Sequence, residues 1–190
     1  MTTNGTLLNQ ERIQFLKDND IKILLSIDGA PETQNFNRPA HNGEKSFDLV
    51  YKNIPYILEA FPDTTFRGTI YAPTADKTFE NYIFAAYLGF KNAFFIPDSR
   101  HPWTNEQLNN LHNEINKIFA SMSYCFSNNQ YPLINFSLIN KIFSSILERD
   151  IEIFNHFNPT LKKSHSFMRC GLGTTSGSIG YDGNIYGCQE

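Results

Sequence analysis

The sequence predicts an α/β fold built on a parallel sheet. Three segments have the apolar character of strands, at 21–27, 65–71 and 92–96, and segments with helical spacing of apolar residues lie between them. The first of these strands is almost continuously apolar, which is typical of a strand buried on both faces. Strands that alternate with helices favour βα units, because parallel neighbours need a crossover connection. We therefore expect residues 1–97 to form consecutive βα units.

The first half of the chain begins with the end of a strand at 1–5 and a short helix at 9–18. Strand 21–27 is then followed by a long polar loop, which we expect over 28–45. Ser46 can cap the next helix. Pro55 falls within that helix and should kink or restart it, because proline lacks the backbone N–H that a helix interior needs.

The next elements carry clear start and stop signals. Strand 65–71 is followed by an amphipathic helix that ends at Gly89, and the strand at 92–96 comes next. Thr104 and Gln107 have the spacing of a capping box at the start of a long helix. A second long helix is expected from about 136 to 154, and a β-hairpin is expected over 176–188 with its turn at 182–184.

The loops after the strands are the candidate functional segments. In parallel α/β folds, ligands bind outside the carboxyl ends of the strands. Here those loops are 28–45, 72–75 and 97–103.

Composition and charge exclude several classes of protein. The net charge is −3 without a Lys/Arg cluster, so we expect no nucleic-acid partner. No stretch of about 18 apolar residues is present and the N-terminus has no signal-peptide pattern, so we expect no membrane partner. Three cysteines, two of them near the C-terminus, do not form a disulfide framework. These features predict a cytoplasmic protein.

Polar side chains at the end of strand 21–27 are the first candidate site. Ser26 and Asp28 lie two residues apart and share one face of the strand, where a carboxylate can hold a ribose diol or an amino group. Arg38 follows in the next loop and can clamp a carboxylate with two hydrogen bonds. Taken alone, Ser26 and Asp28 are better explained by a strand-end turn, and Arg38 by a surface ion pair.

Two cysteines form the second candidate site. Cys170 and Cys188 flank a glycine-rich segment, with twelve residues between Cys170 and Gly183 and four between Gly183 and Cys188. Glycines allow backbone N–H groups to approach the sulfurs of an iron–sulfur cluster. The spacing alone is also consistent with two ordinary thiols or with half of a zinc site. The five histidines lack the spacing of a metal site or a hydrolase triad.

In order along the chain, several motifs together resemble radical S-adenosylmethionine enzymes with a SPASM domain, of the peptide and protein maturase type. They are Thr3-Asn4-Gly5-Thr6-Leu7-Leu8, Leu25-Ser26-Ile27-Asp28-Gly29, Asn37-Arg38, Gly43-Glu44-Lys45-Ser46-Phe47-Asp48, Arg67-Gly68-Thr69-Ile70, Leu88-Gly89-Phe90 and Cys170…Gly183-x4-Cys188. The last is the most diagnostic, because it resembles the opening of the SPASM cysteine pattern.

The resemblance implies the C-terminal part of a partial (β/α)6 barrel, followed by helices and the beginning of a SPASM domain. Residues 1–126 would be the barrel with its strands three to six, 127–164 a helical connection, and 165–190 the start of the iron–sulfur domain. Strands three to six would then be 1–5, 21–27, 65–71 and 92–96.

The resemblance also implies an activity and a set of ligands. Ser26, Asp28 and Arg38 would help to hold the ribose and carboxylate of S-adenosylmethionine, and Cys170 and Cys188 would be two ligands of an auxiliary 4Fe–4S cluster. The complete enzyme would generate a 5′-deoxyadenosyl radical that abstracts hydrogen from a peptide or protein substrate. A thioether cross-link or a formylglycine residue would result.

The sequence departs from this family in lacking its Cys-x3-Cys-x2-Cys and Gly-Gly-Glu motifs. We therefore expect a fragment cut at both ends, inactive alone, with the remainder of the enzyme as a partner. One alternative is a non-catalytic α/β module that binds a peptide or a partner protein. A second is an unrelated flavodoxin-like domain, which would need a phosphate-binding loop after its first strand.

Overall fold

The computed structural model describes residues 1–40, 44–130, 132, 134–136, 178–179 and 185–186. The chain divides into two compact units, Met1–Ser145 and Ile146–Glu190. The predicted positions of Cys170 and Cys188 lie outside the described residues.

The first unit contains a five-stranded parallel sheet whose strands follow one another in chain order. The strands are β1 (Thr2–Thr3), β2 (Leu24–Ser26), β3 (Thr65–Ile70), β4 (Asn92–Pro97) and β5 (Asn135–Phe136). Each strand pairs in parallel with the next, with Leu24 opposite Thr65 and Thr65 opposite Asn92. Because parallel neighbours need a crossover over one face, this order produces successive βα units. The predicted α/β fold, part of a (β/α) barrel, is confirmed.

Helices connect the strands. They are α1 (Gln10–Asp18), α2 (Pro31–Asn37), α3 (Ser46–Tyr51), α4 (Ile54–Ala60), a 3₁₀ segment (Ala72–Lys77), α5 (Thr78–Tyr87) and α6 (Asn105–Ser127). Pro55 stands in the first turn of α4, where its missing N–H costs nothing, so the predicted restart is confirmed. The predicted capping box of Thr104 and Gln107 is present at the start of α6, with both reciprocal hydrogen bonds.

Two elements differ from the sequence-based expectation. The expected loop 28–45 contains α2, a helix of seven mainly polar residues whose Thr33 and Gln34 are buried by tertiary packing. The helix expected from about 136 does not include Phe136, which is a fully buried residue of β5. Phe136 packs against the rings of Tyr82 and Phe95. Tertiary packing overrides local preference at both places. The rest of that predicted helix lies outside the described residues.

The two faces of the sheet differ in polarity. Alternate residues of the central strands, such as Leu25, Phe66 and Phe95, are buried in the apolar core with the helices. The residues between them point to the other face. In β3 these are Arg67 and Thr69, which are only partly buried. The second face is less buried than the first and carries both polar and apolar side chains, which leaves it available for a ligand.

In the second unit, β6 (Ser178–Ile179) and β7 (Ile185–Tyr186) pair antiparallel. The two strands of the predicted hairpin are thus confirmed, and its turn at 182–184 lies outside the described residues. In the described part of the chain, no helix combines the length and apolar character that a membrane span requires.

Candidate functional site

A cavity of about 470 Å³ lies at the carboxyl ends of β2, β3 and β4. It is lined by Asp28, Phe36, Asn37, Arg38, Thr69, Tyr71, Asp98, Arg100 and His101. The loops after β2 and β4, both predicted as functional segments, supply seven of these nine side chains. The position agrees with the general rule for ligand sites in parallel α/β folds.

Asp28 forms one wall of the cavity and is buried, with 4% of its surface exposed. Its Oδ1 accepts hydrogen bonds from Arg38 Nη2 and from the backbone N–H of Thr69, each at 2.9 Å. The β2–β3 pairing reaches Ile27, whose N–H donates to the carbonyl of Arg67. Beyond Ile27, the Asp28 carboxylate accepts the Thr69 N–H as a strand carbonyl would, and this bond fixes the carboxylate against β3. Both bonds are charge-assisted and therefore stronger than neutral ones.

Two buried side-chain amides hold the turn that carries Asp28. The N–H of Asp28 donates to Gln34 Oε1 at 2.8 Å, and the N–H of Ala30 donates to Asn81 Oδ1 at 2.9 Å. Gly29 allows the second approach, because a Cβ at this position would lie 2.0 Å from Asn81 Oδ1. Close packing against Asn81 therefore explains why glycine occupies the last position of the Ser26-Ile27-Asp28-Gly29 motif. The turn is a fixed platform for the carboxylate.

Two buried donors beside Asp28 have no hydrogen-bond partner among the described residues. They are Asn37 Nδ2 and Arg38 Nε. The other end of the Asn37 amide is engaged, because Oδ1 accepts from the Thr74 hydroxyl at 3.1 Å. A buried unpaired donor costs about 1–3 kcal/mol. A ligand with oxygen acceptors would remove that cost.

Asp98 forms the opposite wall and directly follows β4. Its N–H donates to the carbonyl of Ile70, so it extends the β3–β4 pairing, and only 6% of its surface is exposed. Its carboxylate accepts hydrogen bonds from Arg100 Nε at 3.0 Å and from His101 Nδ1 at 2.5 Å. These bonds, that of His101 first, lower the pKa of Asp98 from 3.8 to about 2. Asp98 is therefore an anion at neutral pH.

Aromatic side chains join the two walls. The Tyr71 ring lies edge-on to the ring of His101, with centroids 5.6 Å apart, and 6.4 Å from the ring of Phe36. The cavity thus combines two carboxylates, two guanidinium groups, an imidazole and two aromatic rings. This set can bind a ligand that carries both charges and a flat ring.

The predicted site residues separate into three groups. Asp28 and Arg38 are brought together as an ion pair in the cavity wall. Ser26 is buried in β2 on the face of the strand shared with Asp28, and it does not line the cavity. Cys170 and Cys188 lie outside the described residues.

Three lining residues from the loop after β4 were not predicted individually. Asp98, Arg100 and His101 fall in the segment 97–103, which the strand-end rule identifies. Their mutual contacts depend on the loop conformation, so no fixed sequence spacing reveals them. Asp98 does have a usable signal, because it is the first residue after an apolar strand.

Within the described residues, no cluster of three or more His, Cys, Asp or Glu side chains could hold a metal ion. Cys125 is the free cysteine of this part, and it lies in α6. The described residues therefore do not supply a ligand set for an iron–sulfur cluster. The unpaired donors and the anchored carboxylate can bind a ligand that carries both acceptor and donor groups.

The sequence matches no family model and no curated protein. The fold is similar to that of anSMEcpe, an anaerobic sulfatase-maturating enzyme of the radical S-adenosylmethionine class. The native anSMEcpe structure with bound AdoMet has a TM-score of 0.68 and 21% identity, over 98% of this chain and 49% of that one.

Two structures of the same enzyme with bound AdoMet and a peptide give similar values. The structure with the Cp18Cys peptide has a TM-score of 0.65, and that with the Kp18Cys peptide has 0.66, both at 20% identity. Each covers 99% of this chain and 50% of the other, so this chain spans about half the length of these enzymes. The resemblance that the motifs predicted is therefore confirmed at the level of fold: the chain has the fold of the radical S-adenosylmethionine enzymes.

Proposed function

We propose that this chain is part of a radical S-adenosylmethionine maturase that modifies a peptide or protein substrate. Three independent features support the proposal: the order of the motifs along the chain, the fold, and a polar cavity at the carboxyl ends of the strands. The fragment interpretation, and the remainder of the enzyme as a partner, belong to the same proposal.

The observation that carries the proposal is the Asp28–Arg38 pair beside two unpaired donors. The pair holds the Arg38 guanidinium in place through Nη2 and leaves its buried Nε without a partner in the described part of the chain. A guanidinium with available N–H groups can bind the carboxylate of an amino acid. Asn37 Nδ2 offers a further donor within the same wall. The proposed ligand of this wall is the amino-acid and ribose part of S-adenosylmethionine, with Ser26 supporting the strand beneath it.

When bound at an iron–sulfur cluster, S-adenosylmethionine supplies a 5′-deoxyadenosyl radical. In the proposal, Cys170 and Cys188 are two ligands of an auxiliary 4Fe–4S cluster. The residues of the cavity bind and orient the cofactor. A peptide is the proposed substrate because the cavity opens at the strand ends, and because two anSMEcpe structures of similar fold hold peptides.

Isothermal titration of the chain with S-adenosylmethionine tests the proposal. We expect binding, and we expect Arg38→Ala to weaken it by about 10- to 150-fold, because hydrogen bonds to charged groups contribute about 1.5–3 kcal/mol. Lys91→Ala is the matched control, since Lys91 is a cation that pairs with Asp63 on the exposed surface outside the cavity.

Equal affinities of the wild-type and Arg38→Ala proteins would contradict the assignment of this wall. Absence of binding, together with peptide binding, would favour the alternative of a non-catalytic binding module.

A further inference from the structure

One hydrogen-bonded pair in the cavity, His101 and Asp98, has no role in the ligand binding proposed for Asp28 and Arg38. His101 donates from Nδ1 to Asp98 Oδ2 at 2.5 Å, while about half of its side-chain surface is exposed and lines the cavity. Asp98 is the buried partner, with 5% of its side chain exposed. A buried carboxylate that orients an accessible imidazole is the arrangement that enzymes use for proton transfer.

The pair fixes the tautomer of the imidazole. A carboxylate only accepts hydrogen bonds, so Nδ1 must carry the proton of neutral His101. The lone pair is therefore on Nε2, and no group in the described part of the chain hydrogen-bonds this atom. The low pKa of Asp98 keeps its carboxylate ionised at neutral pH. An imidazole in this tautomer can accept a proton, and the carboxylate stabilises the resulting imidazolium ion.

Charged and titratable groups from three segments of the chain line the cavity that His101 shares. Asp98 and Arg100 belong to the same loop, and the Tyr71 ring comes from the end of β3. Asp28 and Arg38 form the facing wall and are paired with each other. The negative charge nearest to the imidazole is that of Asp98.

We propose that His101 is a catalytic base whose Nε2 accepts the proton of a cysteine thiol in a peptide substrate, with Asp98 as its positioning residue. The proposal rests on the proposed function, because it requires a peptide at this cavity. In the step, the S–H bond breaks and an N–H bond forms at Nε2. The products are a thiolate and an imidazolium ion, and nothing is oxidised or reduced.

The chemistry favours a thiol over an alcohol as the proton donor. A thiol and an imidazolium ion have ordinary pKa values about two units apart, which is about a hundredfold in equilibrium constant. An alcohol is a far weaker acid than a thiol, so the same base would leave a serine side chain protonated.

The test is the ultraviolet thiolate absorbance of the Cp18Cys peptide bound to the full chain at pH 7, with the Cys→Ser peptide complex as the blank. A free cysteine has a few per cent thiolate at this pH. We expect at least a ~10-fold higher thiolate fraction in the wild-type complex. His101→Asn should return the fraction to that of the free peptide, and Asp98→Asn should lower it. His112→Asn is the matched control, since His112 is an exposed histidine of α6.

The outcomes separate this inference from the proposed function. No binding of either peptide would overturn both. Binding without an increase in thiolate, or with an equal increase in His101→Asn, would overturn the role of His101 alone. The tautomer provides a second measurement on the wild-type chain. Nitrogen NMR shifts should show Nδ1–H in His101, and a predominant Nε2–H form would contradict the proposal.

Discussion

The Gly29→Ala substitution tests whether the turn at Asp28 is fixed by close packing. An added Cβ would lie 2.0 Å from Asn81 Oδ1 and 2.2 Å from its Cγ. Asn81 is a buried residue of α5, so its side chain must leave the Ala30 N–H without a partner. The lost bond costs about 1–3 kcal/mol. Overpacking adds about 1–3 kcal/mol. Together these would remove about 2–6 kcal/mol of a folding free energy that is ordinarily about 5–15 kcal/mol.

A double-mutant cycle in urea separates the two causes. We expect Asn81→Ala alone to lower the free energy of unfolding by about 1–3 kcal/mol, since it removes the hydrogen bond to Ala30 and introduces no clash. Adding Gly29→Ala to that variant should cost less than about 1 kcal/mol, because the colliding side chain is gone. Gly29→Ala within about 0.5 kcal/mol of the wild type would refute the packing argument, and so would strict additivity of the two changes.

Three further predictions concern stability. Burial raises the pKa of Tyr82 to about 12, and its hydroxyl donates to the carbonyl of Ile134. The stability that depends on this phenol is complete below pH 10 and should be lost between about pH 10 and 12. Tyr82→Phe should lack this alkaline component in a series of urea titrations, and an unchanged alkaline slope would contradict the assignment. The pKa of Asp98 is lowered to about 2, so its contribution is complete above about pH 4 and should be lost as the pH falls to about 2. The difference in stability between wild type and Asp98→Asn should shrink over that interval, and a constant difference would count against the ion pair. Thr104→Ala should lower the free energy of unfolding by about 1 kcal/mol through loss of the capping box with Gln107, and thermal melts that coincide with the wild type would contradict this.

The sequence predicts the sheet well because its signals are local. The strands at 65–70 and 92–97 are apolar segments bounded by helices with clear ends, so pattern alone places them within one residue. Helix α2 and strand β5 lack such local signals, because each depends on contacts with distant parts of the chain. The first depends on burial of Gln34 beneath Asp28, and the second on burial of Phe136 under the rings of α5 and β4. Such contacts exist only after the chain has folded.

The same distinction between local signals and contacts of the folded chain applies to the candidate site. Asp28 and Arg38 stand in motifs with a recognisable order, and the structure pairs them directly. Asp98 and His101 are three residues apart in a loop, a spacing that carries no signal without the loop conformation. The strand-end rule located their segment without identifying the pair. Part of the site thus follows from sequence motifs, and the rest follows from the path of the chain after β4.

A crystal structure of the chain grown with S-adenosylmethionine is the most direct test of the proposed site. We expect density for the ligand in the cavity between Asp28 and Asp98, with its carboxylate on Arg38. We also expect Arg38 Nε and Asn37 Nδ2, which lack partners among the described residues, to donate to the ligand. Ligand density elsewhere, with these two donors still unpaired, would contradict the central claim.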